Sequence, residues 1–224
     1  MDIAIPIFER FTALDAVGPY EVLSRLPGAR VRFVAARLAP VRTETRMLSL
    51  NPECTFEQLP SPEIVVVPGG LGTRALTEDE RILDWLRHAH TTSTWTTSVC
   101  TGSLLLGAAG LLEGLEATTH WSELESLERY GARPVSRRVV EQGKVITAAG
   151  VSAGIDMALT LAARIAGEEI TKAIQLGIEY DPQPPFHSGS PQRATPETIA
   201  LVRRAAALEA ETADAAAPPV GASD

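Results

Sequence analysis

The chain has 224 residues, with 28 acidic and 20 basic side chains and a net charge of −8. That length holds one large α/β domain with an ample core, or two small ones. The acidic balance, with no basic stripe, argues against a nucleic-acid partner, and no apolar run reaches membrane-spanning length.

In chain order, residues 3–8 alternate and then run apolar, which predicts a first strand; Pro6 weighs against a central position for it. LDAVGPYEVLSRL (14–26) has helical spacing at Val17, Val22 and Leu23 and ends at Pro27-Gly28. A short strand is expected at 30–35, and residues 41–50 alternate like a hairpin arm. EIVVVPGGLG (63–72) reads as a four-residue apolar strand breaking into a glycine turn. TEDERILDWLRHAH (77–90) is an amphipathic helix whose acidic first turn suits the helix dipole. Thr94–Val99, β-branched and aromatic, predicts a buried strand, and residues 101–112 a helix that Gly114 stops. Beyond it lie a brief strand at 116–118 and a helix at 121–132 stopped by Gly131. Residues 135–140 and 144–148 predict a hairpin around Gln142-Gly143. Residues 151–167 are apolar on nearly every face and predict a buried helix, with another at 168–179. DPQPPFHSGSPQ (181–192) is a loop, 196–210 a last helix and 211–224 a disordered tail. Strands alternating with helices imply an α/β sandwich, a mostly parallel sheet covered on both faces, in one domain over 1–195.

The stretch TWTTSVCTGSLLLGAAGLLEG (94–114) organises the rest. Cys100 sits at the joint of strand and helix, where the small residues Thr101 and Gly102 permit a sharp turn. A mid-strand cysteine would read as core; one at such a corner reads as a nucleophile. The helix amino terminus is expected to lower its pKa from about 8.5 into the range ~3.5–7.5, making thiolate the main species. Cys54, in NPECTFEQ, has no such corner and reads as a spectator. Two cysteines make no disulfide framework, and MDIAIPIF lacks the features of a signal peptide, so a reducing cytoplasm is expected.

In parallel sheets, ligands sit beyond the carboxyl ends of the strands. Four segments are expected at that edge: Phe8–Gly18, Pro68–Gly72, Cys100–Gly102 and Thr119-His120. Asp15 there is either a helix cap or a carboxylate that moves protons to and from a substrate held on the sulfur. Gly69 and Gly70 form an ordinary turn or aim N–H groups at developing negative charge. Thr101 offers a hydroxyl beside the sulfur, or merely starts a helix. His120, twenty residues past Cys100, is a structural residue or a support for the site. His88 and His90 lie on different faces of one helix and His187 is isolated, so no metal is predicted. With no dinucleotide fingerprint either, no cofactor is expected.

LDAVGPYEVL (14–23), VVVPGGLG (65–72), SVCTGSLLLGAAGLL (98–112), ATTHW (117–121) and AGVSAGID (149–156) together resemble the PfpI (ThiJ) superfamily, and within it the isocyanide hydratase branch. EYDPQPPFHSGSP (179–191) extends that likeness. The resemblance implies the class I glutamine amidotransferase-like fold, a flavodoxin-like three-layer sandwich. It implies a homodimer acting on a small-molecule substrate: hydration of an isocyanide to an N-substituted formamide, a hydro-lyase reaction without metal or redox cofactor. Cys100 matches the nucleophile, Asp15 the acid/base carboxylate and Thr101 the residue after the nucleophile. Gly69, Gly70 and Leu71 match the turn that supplies backbone N–H groups. Many members carry His where Thr101 stands, several carry Glu for Asp15, and Ala149 replaces a glycine expected in the hydratase. The competing readings are a glyoxalase- or deglycase-like cysteine enzyme and a ligand-sensing domain like those of AraC-type regulators. The acidic Ala/Pro carboxyl terminus disfavours the last.

Overall fold

The computed structural model describes residues 1–215. Two compact units are separable, Met1–Tyr180 and the remainder from Asp181. The first contains β1 (Asp2–Pro6), α1 (Ala13–Leu23), β2 (Arg30–Ala35), β3 (Val41–Arg42), β4 (Ser49–Leu50), β5 (Cys54–Thr55) and β6 (Ile64–Val67). There follow α2 (Thr73–Leu76), α3 (Glu80–Thr92), β7 (Trp95–Val99), α4 (Gly102–Ala108), β8 (Glu116–Ala117) and a 3₁₀ helix (Trp121–Tyr130). β9 (Arg133–Pro134), β10 (Val139–Gln142), β11 (Val145–Ala148) and α5 (Ala153–Gly177) complete it. The second unit carries the loop from Asp181 and α6 (Pro196–Ala215), five residues longer than the sequence suggests. The tail expected at 211–224 therefore begins inside a helix, and residues 216–224 lie outside the described residues.

Seven strands form one sheet in the order β10-β11-β7-β6-β1-β2-β5, parallel throughout except for the β10–β11 hairpin. Its centre is the driest part of the protein: Ile3, Ala4, Ile5, Ile64, Val65, Val66, Val67 and Val99 are all buried. Continuous Ile/Val runs of this kind belong to strands covered on both faces. α1 packs on α5, while α2, α3, α4 and the 3₁₀ helix pack among themselves, so helices flank the sheet in the flavodoxin-like manner. The order also places a topological switch. From β1 the chain steps outward to β2, then returns to the other side of β1 as β6. The crevice beyond the carboxyl ends of β1 and β6 is where such sheets bind ligands.

Several elements differ from expectation for identifiable reasons. β1 is central, not marginal. Pro6 ends the strand, and the ladder to β6 is formed at Ile3 and Ala4, short of the residue that lacks an N–H. Residues 41–50 hold a whole hairpin, β3 antiparallel to β4. The brief strand β8 pairs with β9 in a sheet of its own and not with the central one. The run after residue 150 is buried on one face only: Ala153, Met157, Ala158, Leu161 and Ala162 are buried, whereas Ile155, Leu159 and Ile165 are half-buried. Its expected break at 167/168 is present as a non-helical Gly167 within α5. No helix among the described residues is long and apolar enough to cross a membrane.

Candidate active site

Cys100 follows the last residue of β7 and precedes α4, with a φ of 55°. A non-glycine residue in this region is strained and is held there by its surroundings. The holding groups are on both sides. The Cys100 N–H donates to the carbonyls of Ala148 and Ala149, both at 3.1 Å. Its carbonyl accepts from Thr119 Oγ1 at 2.9 Å and Ser103 Oγ at 3.1 Å. Gly102 is required by close approach, since a Cβ there would lie 2.1 Å from the Val67 carbonyl oxygen. The corner is thus wedged onto the end of β6.

Asp15, in the first turn of α1, is fully buried, and its Oδ2 accepts from the Gly69 N–H at 2.9 Å. It does not cap α1, because it lies inside the helix and Thr12 is the residue before it. Its Oδ1 is buried with no hydrogen-bond partner among the described residues. Burial pushes its pKa up from 3.8 to about 7; Gly69 pulls it down, Glu44 pushes it up and the Cys100 thiol pulls it down again. Cys100 is 5% exposed. Burial raises its thiol far above the usual range, the Asp15 carboxylate raises it further, and the N–H groups of Thr101 and Val151 only partly offset this. The expected depressed thiol pKa is therefore corrected: desolvation outweighs a helix terminus that belongs to only seven residues. At rest the sulfur is a thiol beside a carboxyl that is half-ionised near neutrality.

The glycine turn is also differently used. The Gly70 N–H donates to Thr101 Oγ1 at 2.9 Å, and Thr73 Oγ1 donates to the same oxygen at 3.1 Å. The N–H groups of Gly69 and Gly70 hold Asp15 and Thr101, rather than pointing at open space. A Cβ on Gly69 would meet Thr101 N at 2.5 Å, so only glycine lets the turn lie this close. Leu71 is half-buried at the same turn. His120 stands over Gly150 and receives the Ser122 N–H on its Nδ1 at 3.4 Å, while burial lowers its pKa. That makes it the cap of the 3₁₀ helix, and its neighbour Thr119 is the residue that grips the elbow. Sequence reasoning placed Thr119 at the edge without a role and missed Thr73 and Val151. The ATTHW motif contained the first, but nothing local marks the hydroxyl as an elbow strut. Cys54, on the edge strand β5, is buried and unpaired with any other cysteine among the described residues. No cluster that could hold a metal occurs among the described residues.

A switch-point sheet with a strained cysteine at a strand-to-helix corner, and a buried carboxyl beside it, defines a cysteine-elbow protein of the flavodoxin-like class. Residues 1–164 match the DJ-1/PfpI family, and the chain belongs to it. It is 45% identical over 207 residues to isonitrile hydratase of Pseudomonas putida, covering 92% of this chain and 90% of that one. It is 30% identical over 181 residues to the HTH-type transcriptional regulator CdhR of Pseudomonas aeruginosa, covering 79% of this chain but 52% of the regulator. A ThiJ/PfpI family protein from Pseudomonas syringae superposes with a TM-score of 0.89 at 37% identity, covering 96% of this chain and 89% of that one.

Proposed function

We infer that the protein is an isocyanide hydratase, a hydro-lyase converting R–N≡C and water to the N-substituted formamide. The observation that carries this reading is the buried Cys100–Asp15 pair, in a chain 45% identical to isonitrile hydratase along nearly its whole length. Cys100 acts as the nucleophile. As Sγ bonds to the terminal isocyanide carbon, its proton passes to the Asp15 carboxylate, so no free thiolate needs to accumulate in the dry site. Asp15 then delivers that proton to the same carbon, leaving a thioimidate, R–N=CH–S–Cys100, and a regenerated carboxylate. Water adds across the C=N bond, with one hydrogen going to nitrogen. The C–S bond then breaks and sulfur takes the hydroxyl proton, which frees the formamide and the thiol. A carboxyl with a pKa of about 7 suits both proton steps at neutral pH. Thr101 and the Gly69–Leu71 turn position the pair and wall the site.

The exposed Leu14 and half-buried Val17 on α1, with half-buried Ile155 and Leu159 on α5, support the homodimer that the family resemblance implies. The two free cysteines fit a cytoplasmic enzyme. A formamide assay on the purified protein with a simple aryl isocyanide is the decisive test. Formation of the formamide, abolished in Cys100→Ala, is expected. Turnover of methylglyoxal in place of the isocyanide would favour a glyoxalase-like enzyme instead.

A further inference from the structure

Thr12 stands at the N-cap of α1, three residues before Asp15, yet its hydroxyl caps nothing. A threonine in that place ordinarily satisfies an amide of the first turn. Here Thr12 Oγ1 instead donates at 2.9 Å to Oε2 of Glu44, a half-buried residue just past β3 on the β3–β4 hairpin. The backbone ties the same segments together. The Glu44 N–H donates to the Phe11 carbonyl at 3.0 Å, and the Arg10 N–H to the Arg42 carbonyl at 2.8 Å. On its other side the segment is joined to the glycine turn, with the Thr12 N–H on the Gly69 carbonyl at 2.8 Å and the Gly72 N–H on that of Arg10 at 3.2 Å. Phe11 bridges to Thr43 on one flank and Gly70 on the other. Hairpin, α1 entry and glycine turn form one continuous ribbon, and Glu44 is the acid it carries toward the site.

We propose that Glu44 is a positioning residue: held by the Thr12 hydroxyl, its carboxylate places a fixed negative charge on the ribbon that carries Asp15 to Cys100. The inference rests on that pair as the site, not on which electrophile the pair takes. Burial is the largest influence on both members of the pair, and to it the surroundings add Glu44. It pushes both Asp15 and Cys100 upward, and beside these two it is the ionisable side chain that does so for each. Arg42, on the same hairpin, turns its guanidinium to the Arg46 carbonyl at 3.0 Å. Asp156 of α5 is engaged by Arg138 and Tyr180. From the loop after β8, His120 is kept neutral by burial. Arg10 lies on the ribbon itself.

The test is the pH dependence of Cys100 alkylation by iodoacetamide, followed by peptide mapping to separate Cys100 from Cys54. Glu44→Gln keeps an oxygen for the Thr12 hydroxyl and removes the charge. Its alkylation midpoint is expected to fall by about half a pH unit or more. Thr12→Val keeps the charge and loses the hydroxyl, and is expected to move the midpoint less. Glu44→Asp, which keeps the charge, should stay near the natural midpoint and serves if Glu44→Gln does not fold. An unmoved midpoint in Glu44→Gln, an equal shift in Thr12→Val, or a fall in Glu44→Asp as large as half a unit overturns the proposal. Because iodoacetamide is the probe, a shifted midpoint in a protein that makes no formamide would refute the hydratase reading alone.

Discussion

Asp15 carries two roles that a single substitution separates. Its carboxyl oxygen receives the Gly69 N–H, and in the proposed reaction it carries the thiol's proton to the isocyanide carbon. Asparagine retains the oxygen and cannot ionise. General acid–base assistance contributes about 10²–10⁴-fold, so Asp15→Asn is expected to lose at least ~100-fold in turnover. Intact-protein mass spectrometry during turnover checks how the loss arises, since a variant deprived of its proton carrier keeps the thiol unmodified. Full activity in well-folded Asp15→Asn would remove Asp15 from the chemistry. At this scale the sequence was half legible. The corner at Cys100 is readable because strand and helix signals meet there within a few residues. The state of its proton was not, because desolvation is contributed by α1, β6 and the start of α5, which are far apart in the chain. A helix-terminus argument is local; burial is not.

The elements repeat that division. Strands β2, β6, β7 and β11 were legible from β-branched runs between turn residues, and α3 from its amphipathic spacing. The centrality of β1 was not, since Pro6 weakens a strand only where its missing N–H faces a ladder. Nor was the pairing of β8 with β9, which depends on where the 3₁₀ helix returns the chain. The glycine turn shows a packing demand that composition hints at and only geometry explains. With Thr101 N 2.5 Å from an added Cβ, Gly69→Ala forces the turn away from the elbow. Overpacking of this sort costs about 1–3 kcal/mol, which in a domain of this size lowers the thermal midpoint by roughly 2–10 °C. Circular dichroism melting measures it. Activity should fall further than stability alone accounts for, because the same turn carries the Gly69 N–H to Asp15 and the Gly70 N–H to Thr101. A Gly69→Ala protein with unchanged melting and turnover would show that the turn relaxes freely.

For the whole molecule, a buried carboxyl with a raised pKa makes folding stability depend on pH in a definite direction. Between 3.8 and about 7 the folded Asp15 holds a proton that the unfolded chain has released. The native state binds more protons there, so stability falls as pH rises through this window and levels off above it. His90 and His120, whose pKa values burial lowers, act oppositely: their contribution is present above the ordinary histidine value and is lost as pH falls. A melting profile of the natural chain therefore mixes the two slopes. The difference between Asp15→Asn and the natural chain cancels the histidines and isolates the carboxyl. Thermal midpoints of the pair are expected to coincide most closely near pH 4. Asp15→Asn should then gain steadily as pH rises to about 7 and keep a constant lead beyond it. Scanning calorimetry across that range measures the gap. A lead that does not change with pH would mean that Asp15 ionises as freely in the folded protein as in the unfolded chain. In that case the proton relay assigned to it would lose its physical basis, because a carboxylate of ordinary pKa is too weak a base to take the proton from the Cys100 thiol near neutral pH.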